Sequence, residues 1–145
     1  MSFIRGSYFN GMTNNDYDVE DTPEIEELKK KIIYTLKNYD EILADIEREK
    51  MILELPSTSK EEKETIKKRI KVIEIRLKYI DNLVSVLTDE DRKILYLKYV
   101  LEKSWEEVYA SLSTKKAFDT IRGRGPKIKH FLAVRCDKRI FEAYE

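Results

Sequence analysis

Between residues 66 and 87 apolar side chains recur at alternating steps of four and three: Ile66, Ile70, Ile73, Leu77, Ile80, Val84 and Leu87. That spacing averages about 3.5 residues, close enough to the helical repeat to hold all of them on one side of a helix and far from the two-residue period of a strand. Ser59 followed three residues later by Glu62 is the signature of a helix start, so a helix is predicted over residues 60–87. A seam this long must be covered by another helix.

The preceding segment supplies one. Thr22 is a suitable N-cap with Pro23 at the first helical position, and Ile25, Leu28, Ile32, Leu36, Tyr39, Leu43, Ile46 and Leu53 follow at helical steps. A helix is therefore predicted over residues 23–55, ended by Pro56 and the run Ser57-Thr58-Ser59. The short link between the helices predicts a long antiparallel, coiled-coil-like hairpin. Two helices alone bury their stripes only partly. The expected cover is a second copy of the chain, giving a homo-dimer or higher oligomer through Ile66, Ile70, Ile73, Leu77, Ile80 and Val84.

Composition agrees with an all-α class: 39% of the residues are charged, against 4 glycines and 3 prolines in 145 residues. After Thr88, which can cap against Asp91, the expected helices shorten, to residues 89–101, 104–112, 114–122 and 126–143, with Ser104 and Glu107 forming a second capping box. The predicted organisation is an arm over residues 1–22, with no periodicity and an acidic end, a hairpin over 23–87, and a small helical module over 88–145. A single cysteine, Cys136, forbids an internal disulfide, and no Cys/His cluster has metal-site spacing. The N-terminus lacks a secretory apolar core and no stretch approaches the roughly 20 apolar residues of a membrane span. The expectation is a cytoplasmic protein with no membrane partner, metal or cofactor.

Net charge is zero, but it is unevenly spread. Residues 1–62 hold 8 basic and 15 acidic groups, while residues 63–145 hold 20 and 13. Within residues 113–139 nine cations face only Asp119 and Asp137, a balance that suits a polyanionic partner. Enzymatic readings have little to stand on. There is no phosphate-loop motif, HExxH or nucleophile elbow, the sole histidine, His130, has no catalytic company in sequence, and a lone thiol at Cys136 reads as passive despite its basic neighbours.

Residues 87–132 carry a more specific pattern: Leu87-Thr88, Arg92 before Ile94-Leu95, Leu97-Lys98-Tyr99, Ser104-Trp105-Glu106-Glu107-Val108, Leu112, Thr120-Ile121-Arg122, then Lys127-Ile128 and Leu132. This stretch resembles sigma-factor region four, and a long helical segment followed by such a module resembles phage and prophage late-gene regulators of the ArpU and RinA kind. The resemblance implies a helix-turn-helix that reads promoter DNA. The segment from Leu112 to Thr120 is about two residues longer than that pattern, and Gly123, Gly125 and Pro126 fall where the reading helix should continue.

A helix-turn-helix packs its first helix against a second that lies in the major groove. Val108 and Leu112 are expected to pack on Ala117 and Ile121. Thr114, Lys115, Lys116, Phe118 and Asp119 are expected nearest the base edges, with Thr120 beside them. Lys115, Lys116, Arg122, Arg124, Lys127 and Lys129 are expected to contact phosphates of double-stranded DNA. A proline inside a helix costs about 3 kcal/mol, so the reading helix is expected to be short, ending before Pro126, or displaced. That break leaves a rival reading open, in which the module docks on protein, as an adaptor for RNA polymerase or for a small-terminase-like packaging machine.

Overall fold

The computed structural model describes residues 21–142, so the expected arm lies outside the described residues except for Asp21 and Thr22. Among the described residues the chain is helical, with no strand: α1 (Pro23–Lys37), α2 (Tyr39–Leu53), α3 (Lys60–Ser85), α4 (Asp89–Leu95), α5 (Trp105–Ser111) and α6 (Phe118–Arg135). A π-helical turn, Tyr96–Val100, follows α4, and a 3-10 turn, Lys138–Phe141, follows α6.

The helix starts lie where side-chain acceptors predict them. The Thr22 hydroxyl accepts from the Ile25 N–H at 3.2 Å, Ser59 from Glu62 at 3.1 Å and Thr88 from Asp91 at 3.2 Å. At α5 the capping box is complete: Glu107 N–H donates to Ser104 Oγ at 3.1 Å, and Ser104 N–H donates to Glu107 Oε1 at 3.0 Å.

The first long helix is two helices. At Asn38 the backbone leaves the helical region, with φ −105° and ψ 17°, and the Asn38 side-chain amide donates to the Tyr34 carbonyl at 2.9 Å. A short amide that bonds locally gives the backbone an alternative to the helical ladder. The break lets the two halves serve different partners. Helix α2 pairs with α3, burying Ile46 against Ile66, Ile70 and Leu77, with Tyr39, Ile42, Leu53 and Ile73 packed around them. Helix α1 leaves that pair and lies chiefly against α6. Its Leu28, Ile32 and Leu36 enter a larger core with Ile80 and Val84 of α3, Ile94 and Leu95 of α4, Val108 of α5, and Ile121, Ile128 and Leu132 of α6.

Two expectations change with this packing. The core continues across the boundary expected at residues 87 and 88, because the last turns of α3 and all of α1 supply apolar surface that the short C-terminal helices lack. The seam assigned to oligomerisation is also used inside the chain: Ile66, Ile70, Leu77, Ile80 and Val84 are buried and Ile73 half-buried. Ion pairs flank the hairpin part of that seam, with Arg69 Nε donating to Glu49 Oε1 at 2.8 Å and Lys50 lying 3.3 Å from Glu74. The Tyr39 hydroxyl donates to Asp81 at 2.6 Å, and this bond to a carboxylate, with burial, pushes the phenol up to about 12.

Shortening Leu77 to alanine removes contacts within the chain. It should lower unfolding free energy by about 2–5 kcal/mol, read from urea denaturation, and leave the mass in light scattering unchanged. A fall in mass with little loss of stability would return the seam to an intersubunit role.

Candidate nucleic-acid interface

Helix α6 is continuous through Pro126, where a break was expected. A proline there removes one backbone donor and crowds the carbonyl four residues back. The helix survives because it is anchored on both sides of the proline. Ile121, Gly125, Ile128 and Leu132, at steps of four, three and four, face the core and are buried. Gly125 is the closest of these contacts. A Cβ at that position would overlap the Tyr99 hydroxyl and come within 2.8 Å of the Trp105 ring. Tyr99 and Trp105 are thus packing residues, and α6 rides directly on them.

The opposite side of the N-terminal half of α6 is open. Asp119, Thr120, Arg122, Gly123, Pro126 and Lys127 are exposed there, and a Cβ at Gly123 would meet nothing within 4 Å. Ahead of it, the six residues 112–117 separate α5 from α6, and this turn carries Thr114, Lys115 and Lys116, which were expected to be helical. Lys115 and Lys116 are exposed; the half-buried Thr114 accepts the Lys116 N–H at 3.1 Å. Ala117 is exposed rather than packed under Val108 and Leu112, since the longer turn delays the helix until Phe118. Ile121 alone makes the expected inner contact.

The expected contact residues therefore separate into groups. Lys115, Lys116, Asp119, Thr120, Arg122 and Lys127 share the outward surface. Phe118 and Tyr109 pack edge to face, with centroids 5.5 Å apart at 75°, and Arg122 lies over the Phe118 ring at 5.9 Å. Arg124 points the other way, toward α4. Its guanidinium makes paired bonds to Asp91, Nε to Oδ1 at 3.2 Å and a terminal nitrogen to Oδ2 at 2.5 Å, and Asp91 is only 2% exposed. That carboxylate requires a cation, so Arg124 is structural rather than a phosphate contact. Lys129 lies against the α1 side, with its ammonium 4.5 Å from the Tyr99 ring centroid.

Two counter-charges on α4, Asp91 and Glu90, were not anticipated; only the tertiary approach of α4 to α6 reveals them. Lys116 Nζ lies 2.5 Å from Glu90 Oε1. The Lys116 hydrogen bond, working against burial, holds the Glu90 carboxyl below its usual value near 4.5. A carboxylate with a depressed folded pKa stabilises the fold fully above its unfolded pKa, and that contribution is lost as pH falls through the folded value.

His130 and Cys136 are core residues. His130 is 7% exposed and pairs through Nδ1 with Asp21. Burial pushes the Cys136 thiol up to about 11, so the thiolate is scarce at neutral pH despite the cations nearby. Among the described residues no group of three or more His, Cys, Asp or Glu residues is arranged to hold a metal ion, and no helix is long and apolar enough to cross a membrane. Comparison of the chain with protein-family models, characterised proteins and solved structures gives no match.

The two glycines of α6 should respond oppositely to alanine. Gly125→Ala forces Tyr99 and Trp105 apart and should lower the unfolding temperature, whereas Gly123→Ala fills open space and should raise stability by up to about 1 kcal/mol through helix propensity. Arg124→Ala strands Asp91 and should cost about 3–5 kcal/mol in a denaturant titration. Glu90→Gln should remove part of the stability lost between about pH 5 and pH 3, seen as a flatter melting temperature against pH.

Proposed function

We propose that this chain is a sequence-specific DNA-binding transcriptional regulator of the phage or prophage type, reading DNA with the N-terminal half of α6. The observation that carries the proposal is the two-sidedness of this helix. Its inner stripe is locked to the core, while its outer surface, with the turn before it, offers Lys115, Lys116, Arg122 and Lys127 around Asp119 and Thr120. A rigid helix with a cationic, hydrogen-bonding outer surface is what major-groove reading requires.

Roles follow from chemistry. Lys115, Arg122 and Lys127 suit phosphate oxygens, which hold the helix in register, and Thr120 and Asp119 lie where base edges would pass. A carboxylate such as Asp119 can accept from the cytosine amino group, so it supports selectivity rather than general affinity. Lys116 must leave Glu90 to take a phosphate. The phage attribution rests on the resemblance of residues 87–132 to sigma-factor region four and of the helical segment before them to late-gene regulators.

In fluorescence anisotropy against duplex fragments from the gene's own neighbourhood, one fragment should bind far more tightly than the others. Arg122→Gln or Lys127→Gln should reduce the slope of log affinity against log salt by about 0.9 each. Thr120→Ala should reduce the preference between fragments and leave the slope alone. Binding no tighter than the non-specific level of about 10⁻⁴–10⁻⁶ M for every fragment would favour docking on a protein instead.

A further inference from the structure

The region where α1 crosses α6 contains a cleft of about 380 Å³ whose walls are Glu26, Lys29, Lys30, Ile33, Tyr34, Tyr99 and Lys129. Its charges are unevenly matched. Lys29 is already held by Asp21 and by Glu26, the latter at 3.4 Å. Among the described residues no carboxylate lies within ion-pair distance of Lys30 or Lys129. Lys129 is half-buried, with its ammonium over the Tyr99 ring. The ammonium is held below its ordinary pKa by burial first and by Lys29 second. Tyr34 stands beside these cations 65% exposed, an unusual exposure for a large aromatic side chain.

Position connects this cleft with the outer surface of α6. Phe118, Arg122 and Lys129 follow one another at four- and seven-residue steps, so they lie along one side of the helix, and Lys129 is about 11 Å beyond Arg122 at 1.5 Å per residue. A polyanion lying on Arg122 therefore reaches Lys129 with little change of direction.

We infer that the cleft between α1 and α6 binds a phosphate group of the DNA backbone, with Lys30 and Lys129 as the cations and the Tyr34 hydroxyl as a neutral donor. The assignment rests on the DNA-binding reading above and extends it: α1, which the sequence places in a hairpin, becomes part of the DNA-contacting surface. Phosphates are commonly held by such a mixture of lysines and a tyrosine hydroxyl. The half-buried Lys129 also gains from a further anion, because the carboxylate in the cleft wall, Glu26, is paired with Lys29 and lies beyond ion-pair distance of Lys129.

The test is the salt dependence of duplex binding by the full chain, using the fragment bound most tightly by the wild type. Lys30→Gln with Lys129→Gln should lower the slope of log affinity against log salt by about two. Tyr34→Phe should weaken binding several-fold with no change of slope, because it removes a donor and no charge. Lys68→Gln, on the exposed side of α3, should change neither. Melting temperatures within a few degrees of wild type would show that the variants are folded.

A wild-type slope in the Lys30/Lys129 double variant would overturn the assignment while leaving DNA binding by α6 intact. Failure of the wild type to bind any duplex would remove the DNA reading itself and this extension with it. Titration with inorganic pyrophosphate distinguishes the other source of phosphate. Saturable shifts of the Tyr34 and Tyr99 resonances by pyrophosphate, together with an unchanged DNA slope in the double variant, would assign the cleft to a free phosphate ligand instead.

Discussion

The seat of α6 on Tyr99 and Trp105 is the contact on which the rest of the arrangement depends. It is possible only because position 125 has no side chain, and it brings the helix close enough for Ile121 to meet Val108 and for Ile128 and Leu132 to reach the apolar stripe of α1. Helix propensity alone would end α6 near Gly123 and Pro126. Tertiary burial on both sides of the proline offsets that local cost, since each fully buried Ile or Leu side chain contributes about 1.5–3 kcal/mol relative to exposure.

With α6 fixed from inside, its charges are sorted by direction. Arg124 turns inward to neutralise Asp91, Lys129 turns toward α1, and Arg122 and Lys127 remain on the outside with the lysines of the preceding turn. The positive balance of residues 113–139 is therefore not one uniform patch. Part of it pairs within the fold, Arg124 with Asp91, Lys138 with Glu24 and Arg139 with Asp137, while Lys115, Arg122 and Lys127 form a strip along the turn and the outer surface of α6. Gly123 and Pro126 leave the middle of that strip without long side chains, so a partner can approach the helix backbone closely.

Much of this was legible in the sequence, for identifiable reasons. The four-three spacing from Ile66 to Val84 specified α3, and the short polar side chains Thr22, Ser59, Thr88 and Ser104 marked helix starts that the structure bonds as expected. The break at Asn38 was hidden because Leu36, Tyr39 and Leu43 keep helical spacing across it; the period is preserved while the partner changes from α6 to α3. The continuity of α6 was hidden for the opposite reason, as local chemistry at Gly125 and Pro126 argues for a stop that only the packing of Tyr99 and Trp105 overrides. Pairings such as Arg124 with Asp91, 33 residues apart, have no periodic signature. For that reason the cationic residues were recognisable as a group before their separate roles were.

The most direct measurement of the central claim is a map of backbone amide shifts in the isotopically labelled chain as the preferred duplex is added. The predicted result is a contiguous set of perturbations over the turn before α6 and its outer surface, including Lys115, Thr120, Arg122, Gly123 and Lys127, with α2 and the first half of α3 unmoved. Perturbations confined to the α2–α3 hairpin, or none at duplex concentrations well above the protein's, would contradict it.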